Sequence, residues 1–185
     1  MKHKKLYATL AASLLLLPLA SCNNEEKPAE PKPTSIKQAE PSKTAEEAQK
    51  IIEEYFTAED KSAANGWEDH SHNDKYLVPE LAKKANEQDE KYHATGQKII
   101  NPGKASNWTP VEVSQTKTVI EFCNLHKDIE VINKDGKKIG KPNNYVDGES
   151  VGRFTLVREN VDQQWKISEM GYYPEDVTCA DHFKK

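Results

Sequence analysis

Thr118-Val119-Ile120-Glu121-Phe122-Cys123 is the stretch on which the fold reading turns. Successive side chains of an extended chain point to opposite faces. Val119, Glu121 and Cys123 therefore share one side, with Thr118, Ile120 and Phe122 on the other. Such a run reads as a strand with a face to bury. Towards the N-terminus, Val111 and Val113 alternate with polar residues in the same rhythm. Towards the C-terminus, Asp128 to Ile132 leads into Asn133-Lys134-Asp135-Gly136, whose Asp-Gly pair is a hairpin turn signal. A polar loop from Lys141 to Gly148 precedes a strand from Val151 to Arg158, and Asn160 to Gln163 turns the chain back into Trp165, Ile167 and Met170.

Ahead of Gly103 the period is helical. Thr44-Ala45-Glu46-Glu47 fits a capping box, in which hydroxyl and carboxylate each satisfy a free backbone N–H. Ala48, Ile51, Ile52, Tyr55 and Phe56 then form one apolar stripe. Ala58 to Asn73 is polar and irregular, with Trp67 its one large apolar group. A second helix is predicted from Pro79, suited to a first helical position, to about Ala94, with Gly96 as its stop. Tyr76, Leu77, Leu81 and Ala85 give that region a short apolar side. The expected fold is α+β: N-terminal helices packed on a curved antiparallel sheet of four to five strands, in a single domain over 44–185.

The N-terminus carries a different message. Lys2, His3, Lys4 and Lys5 precede an apolar run from Leu6 to Leu17 that only Thr9 and Ser13 interrupt, and Pro18 closes it. The run is short for a bilayer span and is followed by small residues, as in a cleaved secretion signal. Leu19-Ala20-Ser21-Cys22 resembles the lipobox of bacterial lipoproteins. That resemblance implies a signal peptide over 1–21, removed after the Cys22 sulfur has taken its diacylglyceryl group, and a palmitate-bearing anchor in the cell membrane. The competing readings are an ordinary secretory signal with an incidental cysteine, or an uncleaved anchor. From Asn23 to Lys43, Pro28, Pro31, Pro33 and Pro41 stand among Glu, Lys, Ala and Ser without apolar periodicity. Residues 22–43 thus read as a lipidated cysteine and an extended, disordered linker.

Composition fits a lipid-tethered protein facing away from the cytoplasm. The chain is 36% hydrophobic and 30% charged, with a net charge of -4, and losing Lys2, Lys4 and Lys5 with the signal makes it more acidic. An acidic body gives no electrostatic footprint for nucleic acid and is repelled by anionic membrane surfaces. The membrane partner is then the lipid's own bilayer. Taking Cys22 for lipid leaves Cys123 and Cys179, an even pair in an oxidising compartment. A disulfide between them follows, against the alternative of two free thiols too far apart to meet.

Catalytic signatures are sparse. Gly148-Glu149-Ser150-Val151-Gly152 matches the nucleophile elbow, but that motif needs a strand before it and a helix after it, and here a loop precedes and a strand-like run follows. His70-Ser71-His72, with Glu68, Asp69 and Asp74 nearby, offers metal-ligating groups without a third ligand at diagnostic spacing, so no metal is assigned. His93, His126 and His182 stand alone and read as surface residues, and no cofactor motif appears. Asn107-Trp108-Thr109 is a formal glycosylation acceptor with little meaning in a bacterial chain. A pocket of isomerase type would need a carboxylate such as Glu121, Glu130 or Glu169 turned inward opposite a donor such as Tyr55. Tyr55 on an apolar stripe reads as core.

The strand ending in Cys123, the Asp135-Gly136 hairpin, the strand with Arg153 and Val157, Gln164-Trp165-Lys166-Ile167 and the late Cys179 resemble small secreted lipoproteins of Gram-positive, especially actinobacterial, type with a nuclear transport factor 2-like (cystatin-like) fold. The helix Thr44 to Phe56 fits the long first helix of such domains. Two departures stand out: this chain lacks the extra cysteines that relatives carry near the second helix, and Asn124-Leu125-His126 follows Cys123 where relatives place an Asp. The resemblance implies a cone-shaped domain. The expected function is that of a membrane-anchored envelope lipoprotein whose domain binds a protein partner or small ligand without chemistry. The alternatives are a small pocket enzyme of isomerase or dehydratase type and a structural or assembly accessory of the envelope.

Overall fold

The structure, a computed structural model, describes residues 41–126, 129–140 and 148–184. The signal peptide, Cys22 and nearly all of the linker lie outside the described residues. No helix among the described residues is long and apolar enough to cross a membrane.

Helix α1 runs Pro41–Ala64. It begins ahead of the expected cap, and Pro41 suits a first helical turn because its missing N–H is not needed there. Thr44 consequently lies inside the helix, fully buried, and is not a cap. The stripe of Ala48, Ile52 and Tyr55 is buried as expected. It does not stop at Phe56: the helical spacing carries on through Glu59 to Ser62 and Ala63, and Ser62 and Ala63 are buried in turn. Polar residues hold these inward positions because they have partners. The Ser62 hydroxyl donates to the carbonyl of Asp69 at 2.7 Å.

After α1 the chain turns through Gly66 and Trp67, and Trp67 N–H closes the turn on Ser62 O at 2.8 Å. Trp67 adopts a left-handed φ of 54°, unusual for a bulky residue. Its ring is buried against Tyr92, centroids 4.7 Å apart. The region read as irregular also contains α2, Ser71–Tyr76. Helix α3 follows over Pro79–Thr95, with proline in its first turn and Gly96 at φ 64° as its left-handed C-cap, both as the sequence indicates.

Among the described residues, seven strands form two antiparallel sheets, where four or five strands in one sheet were expected. The larger has the order β2-β3-β6-β7, with β2 Lys104–Val113, β3 Lys117–Leu125, β6 Glu149–Val157 and β7 Lys166–Tyr172. The smaller, β1-β4-β5, consists of three-residue strands Lys98–Ile100, Glu130–Ile132 and Lys138–Gly140. The Asp135-Gly136 hairpin joins β4 to β5, and Asn133 Oδ1 accepts from the N–H groups of Asp135 and Lys137. This hairpin therefore extends the fold sideways into the small sheet.

The alternation in β3 sorts two cores. Ile120 and Phe122 join Phe154, Leu156, Ile167 and Trp165 against α1 and the α2–α3 region. Cys123 faces the other way, with Val151 and Cys179 of the short helix α4, Cys179–His182. The helical layer also reaches the sheet edge through Val78 N–H to Ile167 O at 2.9 Å. Both faces of β3 are thus covered, which explains why nearly the whole strand is buried. The domain is α+β, with its three long-range layers set by one strand.

Candidate functional site

A cleft of about 540 Å³ opens between α1 and the sheets. Helix α1 supplies Glu53, Phe56, Glu59 and Asp60 at helical spacing, so one face of the helix presents three carboxylates and an aromatic ring. Trp108 of β2 and Tyr172 of β7 bring aromatic surface from the sheet side. Trp108 packs on Phe122 at 4.9 Å, and Phe56 meets the same ring at 5.4 Å, so the apolar wall is fixed by the core behind it. Tyr172 is 53% exposed, the most exposed large apolar residue of the described set. Lys104 and His126 are the basic lining groups. Burial, reinforced by the neighbouring charge of Glu59, pushes the Asp60 carboxyl up to about 6.

Behind the cleft, Glu59 also anchors a polar cluster shared by three helices. Its Oε1 accepts from the Trp67 indole N–H at 3.1 Å, and its Oε2 lies 2.7 Å from His72 Nε2. Asp89 of α3 is 5% exposed and His72 of α2 9%. Asn73, wholly buried, donates from Nδ2 to Asp89 Oδ2 at 2.7 Å and to Asn86 Oδ1 at 2.9 Å. Burial and then the charge of Glu59 raise the Asp89 carboxyl to about 6, against the Asn73 hydrogen bond and the two histidines, which lower it.

The structure separates the histidine candidates. His72 enters the cluster, while His70 keeps its Nδ1 buried without a hydrogen-bond partner among the described residues. Their acidic sequence neighbours do other work. Asp69 accepts from Ser71 N–H at 2.9 Å, and Asp74 accepts from Asn86 Nδ2 at 3.5 Å. Sequence reasoning passed over Glu59 and Asp89, which stand on other helices. The available signal was spacing: Glu59 continues the Ile52–Tyr55 stripe, and Asp89 continues Ala82 and Ala85 on α3.

The other candidates fall into place by environment. Tyr55 is core, and burial followed by the charges of Glu59 and Asp89 drives its hydroxyl well above the usual phenol range. Glu121 points away from α1, α2 and α3, towards the C-terminal segment. Its Oε1 accepts from Arg153 Nη1 and from the Tyr173 hydroxyl, each at 2.6 Å, and Oε2 lies 2.8 Å from His182 Nε2. These partners outweigh its burial and hold the carboxyl below the usual range, which makes it a poor general base. His182 is therefore a docking residue for the C-terminal segment, contrary to its reading as a lone surface group. Glu130 pairs with Lys138 at 2.6 Å and Glu169 accepts from Thr155 at 3.1 Å, so neither enters the cleft's chemistry.

Ser150 sits within β6 with its Oγ 2.8 Å from His126 Nε2, and no helix follows it, so the Gly-x-Ser-x-Gly match lacks its required context. His93 Nδ1 bonds the carbonyl of Gly66 at 2.8 Å. The Cys123 and Cys179 sulfurs lie 1.99 Å apart, with their Cα atoms separated by 5.5 Å.

No family model matches the chain, and no curated protein matches it. Among solved structures, the intermembrane space region of the chloroplast protein ARC6 is similar in fold, with a TM-score of 0.51 at 12% identity. The likeness covers 69% of this chain and 95% of that one. At this identity it concerns the arrangement of helices and strands alone.

Proposed function

We propose that the chain is a membrane-anchored lipoprotein of the bacterial cell envelope whose domain binds a partner without catalysing a reaction. The lipobox at Leu19–Cys22 supports the anchor, and Cys123 and Cys179 are proposed to form its disulfide. The long helix lying against an antiparallel sheet supports a nuclear transport factor 2-like cone, with the cleft at its mouth. The observation that carries the binding reading is the cleft lining. Glu53, Glu59 and Asp60 face Phe56, Trp108 and Tyr172, a combination of negative charge and aromatic surface. Such a surface suits a positively charged group attached to an apolar body, through ion pairing and cation–π contact. A lysine or arginine side chain of a partner protein, or an amine-bearing small ligand, has that chemistry.

A photo-crosslinking residue in place of Thr57, which lines the cleft, tests the reading in intact cells. The expected result is a discrete crosslinked species that Trp108→Ala and Asp60→Asn each deplete. Crosslinks that are diffuse, or indifferent to both substitutions, would contradict a binding cleft.

A further inference from the structure

We infer that Glu59, His72 and Asp89 form a binding site for a divalent transition-metal ion, zinc by donor type. One ligand atom from each can be chosen so that all three lie within 4.8 Å of one another. Each comes from a different helix, α1, α2 and α3, so the grouping is a product of the tertiary fold. An imidazole nitrogen with two carboxylate oxygens and no thiolate is a borderline-hard set, the kind that zinc accepts.

The surroundings are arranged as around a metal centre. Zinc ligands are usually held by a second layer of hydrogen bonds that fixes their orientation. Here the Trp67 indole N–H occupies Glu59 Oε1, and the Asn73 amide occupies Asp89 Oδ2. Glu59 Oε2, now 2.7 Å from His72 Nε2, is the oxygen that would turn to the ion. The His72 ring is steadied by Tyr55, centroids 5.9 Å apart.

Charge argues the same way. Two carboxylates meet here: His72 and Asp89 are almost fully withdrawn from water, and the Glu59 side chain keeps 30% of its surface exposed. One imidazolium can offset only one of them, and an uncompensated buried charge is costly. A dication with a neutral imidazole balances both.

A second, independent observation lies beside the cluster. Asn73 is wholly buried, and its Oδ1 has no hydrogen-bond partner among the described residues. Buried acceptors are normally satisfied. A zinc ion with three protein ligands keeps an open position for water, and Asn73 is the residue whose amide already holds Asp89 Oδ2.

The ion requires a small rearrangement. Ligand atoms about 2.1 Å from a tetrahedral ion stand about 3.4 Å from one another, so the 2.7 Å His72–Glu59 contact opens while the third ligand draws in. The metal takes the place of the His72–Glu59 hydrogen bond, and the proton of that bond leaves to solvent or to His72 Nδ1. Because Glu59 also lines the cleft, the ion would stiffen one wall of it; the metal assignment itself does not depend on what the cleft binds.

The test uses the untagged full-length protein in detergent, stripped with chelator and titrated calorimetrically with zinc chloride. We expect one ion per chain and a higher unfolding temperature in its presence. Glu59→Gln and Asp89→Asn are nearly isosteric and should each weaken binding by about tenfold or more, with unchanged far-ultraviolet circular dichroism. The cobalt(II) form of the unmutated protein gives a readout independent of any variant's folding: visible d–d absorption displaced by one equivalent of zinc. Absence of stoichiometric binding, absence of that absorption, or affinity unaltered in both folded variants would overturn the site. Binding of manganese(II) in preference to zinc would overturn the zinc assignment.

Discussion

Phe122 of β3 lies over Gly152 of β6, its partner in the ladder, so closely that a Cβ on residue 152 would stand 2.4 Å from the Phe122 Cζ. The missing side chain lets the ring drop onto the strand and meet Phe154 edge-on at 5.0 Å. That same ring backs Trp108 and Phe56 in the wall of the cleft.

Gly152→Ala should therefore force the ring outward. The expected loss is about 1–3 kcal/mol, typical of overpacking a filled core, seen as a lower denaturation midpoint. Trp108 fluorescence should shift in the folded variant as well. A variant as stable as the parent, with unchanged emission, would show that the ring can move freely.

Glu121 gives the pH dependence. Burial by itself pushes its carboxyl up, but hydrogen bonds from Tyr173, His182 and Arg153 outweigh this and leave it below the usual carboxylate value. A lowered folded-state value means that the unfolded chain binds the proton more readily. The contribution to stability is present above the ordinary carboxylate range and is lost as pH falls through the folded value. Glu121→Gln should lower stability at neutral pH by about 1–3 kcal/mol and flatten the acid limb of the stability profile. A parallel profile in the variant would refute the linkage.

The cysteine pair should be oxidised in protein taken from the envelope. Non-reducing peptide mapping should find Cys123 joined to Cys179, and reduction should lower stability by about 2–4 kcal/mol. Recovery of two free thiols from freshly isolated material would count against it.

The proposed lipid anchor rests on Cys22. Globomycin should cause the unprocessed form to accumulate, and Cys22→Ala should abolish palmitate incorporation and release the protein from the membrane fraction. Membrane retention by that variant would refute lipid anchoring.

Much of the fold is legible in the sequence because burial follows period. Ile120 and Phe122 against one layer, Cys123 against another, Pro79 and Gly96 bracketing a helix: each can be read locally. What could not be read has a common cause. Glu59, Ser62, His72 and Asp89 are polar residues at inward positions, and polarity normally signals a surface. Their burial depends on partners far away in the chain, such as Trp67 for Glu59 and Asn73 for Asp89. The small sheet escaped for a related reason. Its three-residue strands are too short for alternation to register, and they exist only because the sheet's partners meet in space. The cleft inherits both difficulties, being walled by that helix face and floored by long-range contacts.

The proposed Cys123–Cys179 disulfide, with its sequence separation of 56, has a consequence for what a single cut does to the chain. Once formed, that bond makes a covalent ring of the chain from Cys123 to Cys179. A protease that cuts once within this ring produces two polypeptides but not two molecules. The clipped protein keeps its C-terminal segment attached to the N-terminal half and runs as a single species until a reductant separates the pieces. With the proposed anchor at Cys22, a single nick would then leave the whole domain attached.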